Sequence, residues 1–418
     1  MTQEYVPRVA DQQLRELLAE SGAVLLQGPK ACGKTETAMQ VAASHVRLDV
    51  DGDAARLAEI DPGLVLRGDR PRLVDEWQLR PHLWDHVRRA VDDAGGAPGQ
   101  FILAGSSTPT DDARFHSGAG RIVTITMRPM SLHESLRLDG VSLGALFDGT
   151  AGSAGGAPDD LPTILEWLVH GGWPAQVGNP RRSLVTGYLD AAVEVDIATG
   201  PGEDGHRPTR RRDPQRIRAL VRSLARNVAT AAGERALAAD AGISRSAVRD
   251  YLAVLERLLL VEPLRAFNTH LRSSRNLREH PRHHFVDPSL AAAALDADTG
   301  RLLRDLEFTG LLFESMVIRD LRVHAGAHGG TVTHFRTDDH EIDAVVSLPD
   351  GRWGAVEVKL GGQPAIEAGA ASVTAAAASI DQDRVGAPAF LAVVTATGAY
   401  AYRRDDGVHV VPLALLGP

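Results

Sequence analysis

Ala23-Val-Leu-Leu-Gln27 is a short apolar run that predicts a buried strand. A glycine-rich turn follows, and then a helix from about Thr35 to Ser44. Leu73-Val74 and Phe101-Ile-Leu-Ala104 are two further buried-strand candidates. Between them, Leu83, Trp84, Val87, Ala90 and Val91 recur at helical spacing on one face. This alternation predicts an α/β fold, a parallel sheet with helices on both sides. The Gly-, Ala-, Pro- and Asp-rich stretch 148–160 reads as a flexible connection. A helical segment follows around Leu161–Ile197, then a Gly-, Pro- and Arg-rich linker at 200–214 and a helical pattern over 215–261. The last third, from about 285, combines a helix over Leu306–Val323 with alternating strands at His340–Leu348 and Trp353–Leu360. Residues 368–379 are Ala-rich and predict a helix, and no internal repeat is present.

Length and charge narrow this picture. A chain of 418 residues is too long for one core and implies two to four units. The net charge of −9 excludes a surface that is basic throughout, so any nucleic-acid role needs a local patch. Cys32 is the one cysteine, so no internal disulfide forms. The start has no basic and apolar leader, and no apolar stretch is long enough to span a membrane; a cytoplasmic protein without a membrane partner is expected. Among 45 basic residues, only Lys30, Lys34 and Lys359 are lysines. Where arginine serves as the general cation, a retained lysine points to a need for a compact ammonium. Lys34 and Lys359 fall in the motifs below; Lys30 reads as a solvated loop residue.

Gly28-Pro29-Lys30-Ala31-Cys32-Gly33-Lys34-Thr35 matches G-x-x-x-x-G-K-[ST], between a predicted strand and helix. Backbone N–H groups and the helix N-terminus can cradle phosphates there, with Glu36 the next helical residue. Lys34 would reach the outer phosphates and the Thr35 hydroxyl would ligate Mg²⁺. Asp75, ending a strand, would complete the metal shell, and Glu76 would polarise the attacking water. Ser106, after Phe101–Ala104, is placed to sense the γ-phosphate or is a plain strand-end turn residue. Arg121 would neutralise transition-state charge in cis or from a neighbouring subunit, or is a surface arginine. Cys32 reads as a small filler.

Leu237-Ala-Ala-Asp-Ala-Gly242-Ile243-Ser244 has the form of a helix, a Gly turn and a Ser N-cap. The next helix carries Val248, Tyr251, Leu252, Leu255 and Leu259 at helical spacing, and its other face offers Arg245, Ser246, Arg249 and Asp250 near its N-terminus. Residues 207–226 hold eight arginines against one acid and read as a phosphate-binding patch for DNA. The alternative is a winged helix used only for packing.

Near the end, Glu357-Val-Lys359 lies in an alternating strand that presents both charged residues on one face. Leu348-Pro349-Asp350-Gly351-Arg352 is a turn that pairs Leu348 with Arg352. Counting back places Asp343 opposite Glu357. Asp343 and Glu357 would bind Mg²⁺, Lys359 would orient water, and Glu314 on the preceding helix would add an acid. Glu341 is assigned to the opposite face and left out. His280, His283 and His284 lack spaced partners for zinc, and Asp287-Pro288-Ser289 reads as an N-cap.

The last arrangement resembles the PD-(D/E)XK nuclease fold. More broadly, the chain resembles the prokaryotic AAA-type ATPases that carry a C-terminal nuclease-like domain of unknown function. The resemblance rests on residues 28–35, Val-Asp-Glu-Trp-Gln at 74–78, Leu-Ala-Gly-Ser-Ser at 103–107 and His-Ser-Gly-Ala-Gly-Arg at 116–121. Met-Arg-Pro-Met-Ser-Leu-His-Glu at 127–134 and His-Gly-Gly-Trp-Pro at 170–174 extend it. It implies ATP as ligand. It implies an ATPase core over 1–150, a helical lid over 161–200, a winged helix over 210–270 and a nuclease-like domain over 285–418. The expected function is an ATPase whose cycle controls the C-terminal region. The alternatives are an ATP-dependent DNA nuclease and a non-catalytic ATP-switched regulator. A homo-oligomer is a further expectation.

Overall fold

The computed structural model describes residues 5–106, 118–200, 211–269 and 279–418. It divides into two compact units: Met1–Pro129 with Thr199–Arg212 and Asp250–Leu260, and Met130–Ala198 with Asp213–Arg249 and Val261–Pro418.

In the first unit, β1 (Ala23–Gln27), β2 (Ser44–Arg47), β3 (Arg72–Asp75), β4 (Phe101–Gly105) and β5 (Ile122–Thr126) form one parallel sheet in the order β2-β3-β4-β1-β5. Ala23 and Leu25 join one apolar cluster with Val74, Leu103, Trp77, Trp84 and Val87. Val24 and Leu26 join another with Leu14, Leu18, Ile102 and Ile125. A strand covered on both faces needs apolar residues at successive positions, which is why β1 shows no alternation.

The helix expected to reach Ser44 spans only Lys34–Met39. Ala43 N–H donates to Pro71 O and draws the chain alongside β3, so Ser44 begins β2 instead. Only Val46 of this edge strand is buried, so it carries no readable apolar pattern.

In the second unit, β10 (Thr331–Arg336), β11 (Glu341–Ser347), β12 (Trp353–Lys359), β13 (Phe390–Thr395), β14 (Tyr400–Arg403) and β15 (His409–Pro412) form a mixed sheet. Its order is β10-β11-β12-β13-β15-β14-β7, where β7 is Ala154–Gly155. The stretch expected to be a flexible connection thus supplies an edge strand, paired with Tyr400 and Ala401. Backbone hydrogen bonding needs no side-chain pattern, so composition concealed it. The Ala-rich helix is Gln363–Ala378, and its Ala370, Val373 and Ala377 pack with Val345, Trp353 and Val393.

A buried ionic hub ties this unit together. Arg319, on the helix Leu306–Gly326, donates to Asp287 Oδ2 and Asp320 Oδ1, each at 2.7 Å. Asp320 accepts from Leu132 N–H at 2.8 Å, and Asp287 accepts from Gly172 N–H at 2.9 Å. Asp287 also caps the helix Pro288–Ala294 through Ser289 N–H. A Cβ on Gly172 would lie 1.9 Å from Met130 O, so glycine is required there. Burial pushes Asp320 up to about 6, against the pull of Arg319. Burial opposes the Arg319 charge too, but Asp320 and Asp287 outweigh it and raise its pKa.

Candidate functional site: a phosphate loop with an acidic pair

The loop 28–33 leaves β1 at the carboxyl end of the parallel sheet, where open α/β sheets bind ligands. Its backbone has positive φ at Ala31 (63°) and Gly33 (101°), the left-handed turn from which a chain can present successive N–H groups to an anion. A Cβ on Gly28 would lie 2.2 Å from Met127 O, so only glycine fits. Cys32 is fully buried as a small filler. Lys34 is buried, its ammonium donating to Gly28 O at 3.0 Å and Pro29 O at 2.8 Å. Lys30 and Glu36 are exposed.

Thr35 Oγ1 donates to Asp75, 3.2 and 3.0 Å from its two oxygens. These are the two groups that would share a magnesium shell, and their contact fits such an ion. Arg47 Nε lies 3.8 Å from the same carboxylate. Burial raises the pKa of Asp75, with Thr35 pulling it down. Burial likewise raises Glu76, with Gln78 and Lys34 opposing. Glu76 has φ 54° at the start of the turn Trp77–Leu79. Gln78 Nε2 donates to Glu76 Oε2, and also to Ser106 Oγ at 3.3 Å. Ser106 is buried after β4; Ser107 lies outside the described residues.

Two residues near the loop were given no role by sequence reasoning. Gln78 closes the motif at 74–78, but its place two positions after Glu76 has no strand or helix rule behind it. Arg8 is buried and donates to Cys32 O at 2.9 Å and Arg128 O at 2.8 Å, partners far away in sequence.

Arg121 requires a correction. It precedes β5, and its carbonyl accepts from Ala23 N–H, at the amino end of the sheet. Five residues of β1 separate that edge from the loop, about 17 Å at ~3.3 Å per residue. A guanidinium there cannot reach a nucleotide in cis. It pairs instead with Asp92 at 2.8 Å.

At the C-terminal site, β11 and β12 pair Ala344 with Val356 and Ser347 with Trp353, and Leu348 N–H donates to Arg352 O. Continued by one residue, this register sets Asp343 opposite Glu357. Lys359 Nζ lies 2.7 Å from Glu357 Oε1, and Asp343 Oδ2 accepts from Val358 N–H at 2.8 Å. Glu314 joins through Arg282, a buried residue of β9 (Arg282–Phe285), at 3.3 Å. Arg282 also pairs with Glu341. Glu341 therefore lies on the face of Asp343 and not on the opposite one, since residues two apart on a strand share a face. Burial, reinforced by Asp343, pushes Glu357 up to about 7. Burial and Asp343 also hold Glu314 well above the usual range. Lys359 is raised because Glu357 outweighs the effect of burial. Among the described residues, no group of three His, Cys, Asp or Glu is spaced to hold a metal.

The helices Pro214–Arg226, Glu234–Ala241 and Arg245–Arg257 precede an antiparallel pair of β8 (Val261–Leu264) with β9. Gly242 turns with φ 66°, and Ser244 Oγ accepts from Ala247 N–H. Most of the described arginines of the patch face acids. Arg212 is buried against Asp250 at 2.6 Å, and Arg216, Arg218, Arg222 and Arg226 pair with Asp213, Asp190 and Glu194, Asp296 and Asp240. Counting within 207–226 missed these acids because most lie elsewhere in the chain. Asp250 is thereby committed to Arg212, and Arg249 lies 3.6 Å from Glu234, while Arg245 and Ser246 are exposed. Arg207 and Arg210 lie outside the described residues.

A parallel sheet with a phosphate loop and a Thr35–Asp75 contact defines a P-loop nucleotide-binding unit. Residues 20–136 match the AAA domain family, and residues 309–416 match the domain of unknown function DUF4143. The chain therefore carries an AAA-type ATPase domain joined to a domain of unknown function. Residues 161–301 match a further domain of unknown function, DUF8612. An uncharacterized protein of Mycobacterium tuberculosis and one of Mycobacterium bovis are each 26% identical over 370 residues, 86% of this chain and 75% of theirs. Two RuvB variants of Thermotoga maritima align at 14% identity, TM-scores 0.22 and 0.24, over 61 and 62% of this chain and 86 and 90% of theirs. Likeness at that level bears on neither fold nor function. Among the described residues, no helix is long and apolar enough to cross a membrane.

Proposed function

We propose that the chain binds ATP with Mg²⁺ and hydrolyses it. The carrying observation is the contact of Thr35 with Asp75 beside a glycine-rich loop with left-handed backbone at Ala31 and Gly33. Lys34 holds the outer phosphates, Thr35 and Asp75 hold the ion, and Glu76 takes the proton of the attacking water. When bound, Mg²⁺ would neutralise charge on the phosphate oxygens. Phosphate release from ATP by the full chain, with Mg²⁺ and with EDTA, tests this reading. No phosphate release above the EDTA control would overturn it. Because burial raises Glu76, the acid limb of the rate profile should lie above the ordinary glutamate range. A limb at ordinary carboxylate pH would assign it to another group. The same reading divides the chain into ATPase core 1–150, lid 161–200, winged helix 210–270 and nuclease-like region 285–418. A DNA contact would then fall to Arg245 and Ser246 rather than to the paired arginines, and Arg121 could serve only a neighbouring copy.

One observation favours a second, nuclease-like reading of the C-terminal site. Glu357 Oε2 is buried without a hydrogen-bond partner, opposite Asp343. Two carboxylates with water or phosphate suffice for Mg²⁺. Asp343 and Glu357 would hold the ion and Lys359 would orient water; the ion would supply Lewis-acid chemistry. Mn²⁺ without nucleotide should raise the melting temperature of the full chain, and Asp343→Asn with Glu357→Gln should remove the rise. A rise that survives both substitutions places the ion elsewhere.

A further inference from the structure

Glu76, Gln78 and Ser106 come from two adjacent strand ends, since Asp75 of β3 lies beside Ala104 of β4. Left-handed backbone at Glu76 lets the turn Trp77–Leu79 fold back, so that the Gln78 amide reaches the Glu76 carboxylate. The same Nε2 donates to Ser106 Oγ at 3.3 Å. The amide is closely confined. A Cβ on Gly105 would lie 2.5 Å from Gln78 Oε1 and 2.8 Å from Trp77 Nε1. Glycine at 105 therefore makes the space that Gln78 occupies. Gln78 Oε1 itself is buried without a hydrogen-bond partner among the described residues. An amide left half-satisfied in burial, with both donor contacts on candidate hydrolytic residues, indicates more than packing.

We propose that Gln78 is a positioning residue that fixes one oxygen of Glu76, presents the other to the attacking water, and links that geometry to Ser106. The proposal rests on the ATPase reading above. A glutamate side chain left free samples several rotamers. An amide donor on Oε2 selects the one in which Oε1 is available as base. Ser106, at the end of β4, then shares the donor that holds the base, so a phosphate touching Ser106 would alter the hold on Glu76.

The test uses the full chain, with ATPase kinetics, binding of a fluorescent ATP analogue and thermal melting. Gln78→Ala should lower kcat by about 10–100-fold and leave nucleotide affinity unchanged. Gln78→Met keeps the side-chain volume and should show the same kcat loss at an unchanged melting temperature. Gln78→Ala with Ser106→Ala should lose no more than the worse single variant, as coupled residues do. A normal kcat in Gln78→Met, a loss confined to KM, or additive losses would overturn the proposal while leaving Glu76 as base. Normal turnover by Glu76→Gln would overturn both readings.

Discussion

Lys34→Ala should abolish ATP turnover in a chain that still folds. Lys34 is buried in the loop, its ammonium donating to the carbonyls of Gly28 and Pro29. Removing it would delete the charge that faces the outer phosphates in the proposed ATP complex without uncovering a large apolar surface. Glu76→Gln should behave differently. It keeps the loop, Lys34 and the Thr35–Asp75 contact, so nucleotide should still bind. It removes the proposed base, so kcat should fall by about 10²–10⁴ and ATP should remain bound long enough to be recovered with the protein. Measured side by side, turnover and retained nucleotide separate the two roles. Turnover by Lys34→Ala at the native rate would remove the loop from the chemistry. Turnover by Glu76→Gln at the native rate would place the base elsewhere.

Arg319→Met should destabilise the second unit by about 3–5 kcal/mol, the range for breaking a buried ionic network from one side. Asp287 and Asp320 are both fully buried and would lose the guanidinium between them. The loss should depend on pH. Burial already pushes Asp320 up to about 6, and removing the cation should raise it further. A carboxyl whose folded pKa is raised favours the native state at low pH and loses that advantage as pH rises through the folded value. The variant should therefore melt closer to wild type at pH 5 than at pH 8. Equal melting at both pH values would mean that the hub adds no coupled stability. Arg319→Lys should fall between the two, since one ammonium cannot engage both carboxylates with fixed geometry.

Legibility in the sequence followed the range of the interaction. The phosphate loop, the strand before it and the helix after it are consecutive, so a glycine spacing and an apolar run were enough to show them. Asp75 and Glu76 were legible because they end such a run. The β11–β12 register was legible because Pro349, Asp350 and Gly351 set it locally. The limits of that helix were not, because Ala43 is drawn to Pro71. Nor was strand β7, whose pairing partner is Tyr400.

By itself the sequence determined where phosphate-binding backbone forms and which acids follow it, because periodicity, glycine conformation and turn chemistry act over a few residues. Only tertiary structure decided which charges are spent on one another. It put Arg121 at the wrong end of the sheet for its own loop, closed most of the described arginine patch with distant acids, and brought Arg282 between Glu314 and Glu341. It also set Gln78 against Ser106. Ion pairs and hydrogen bonds depend on distance in space, and distance in space between remote segments is what the fold creates.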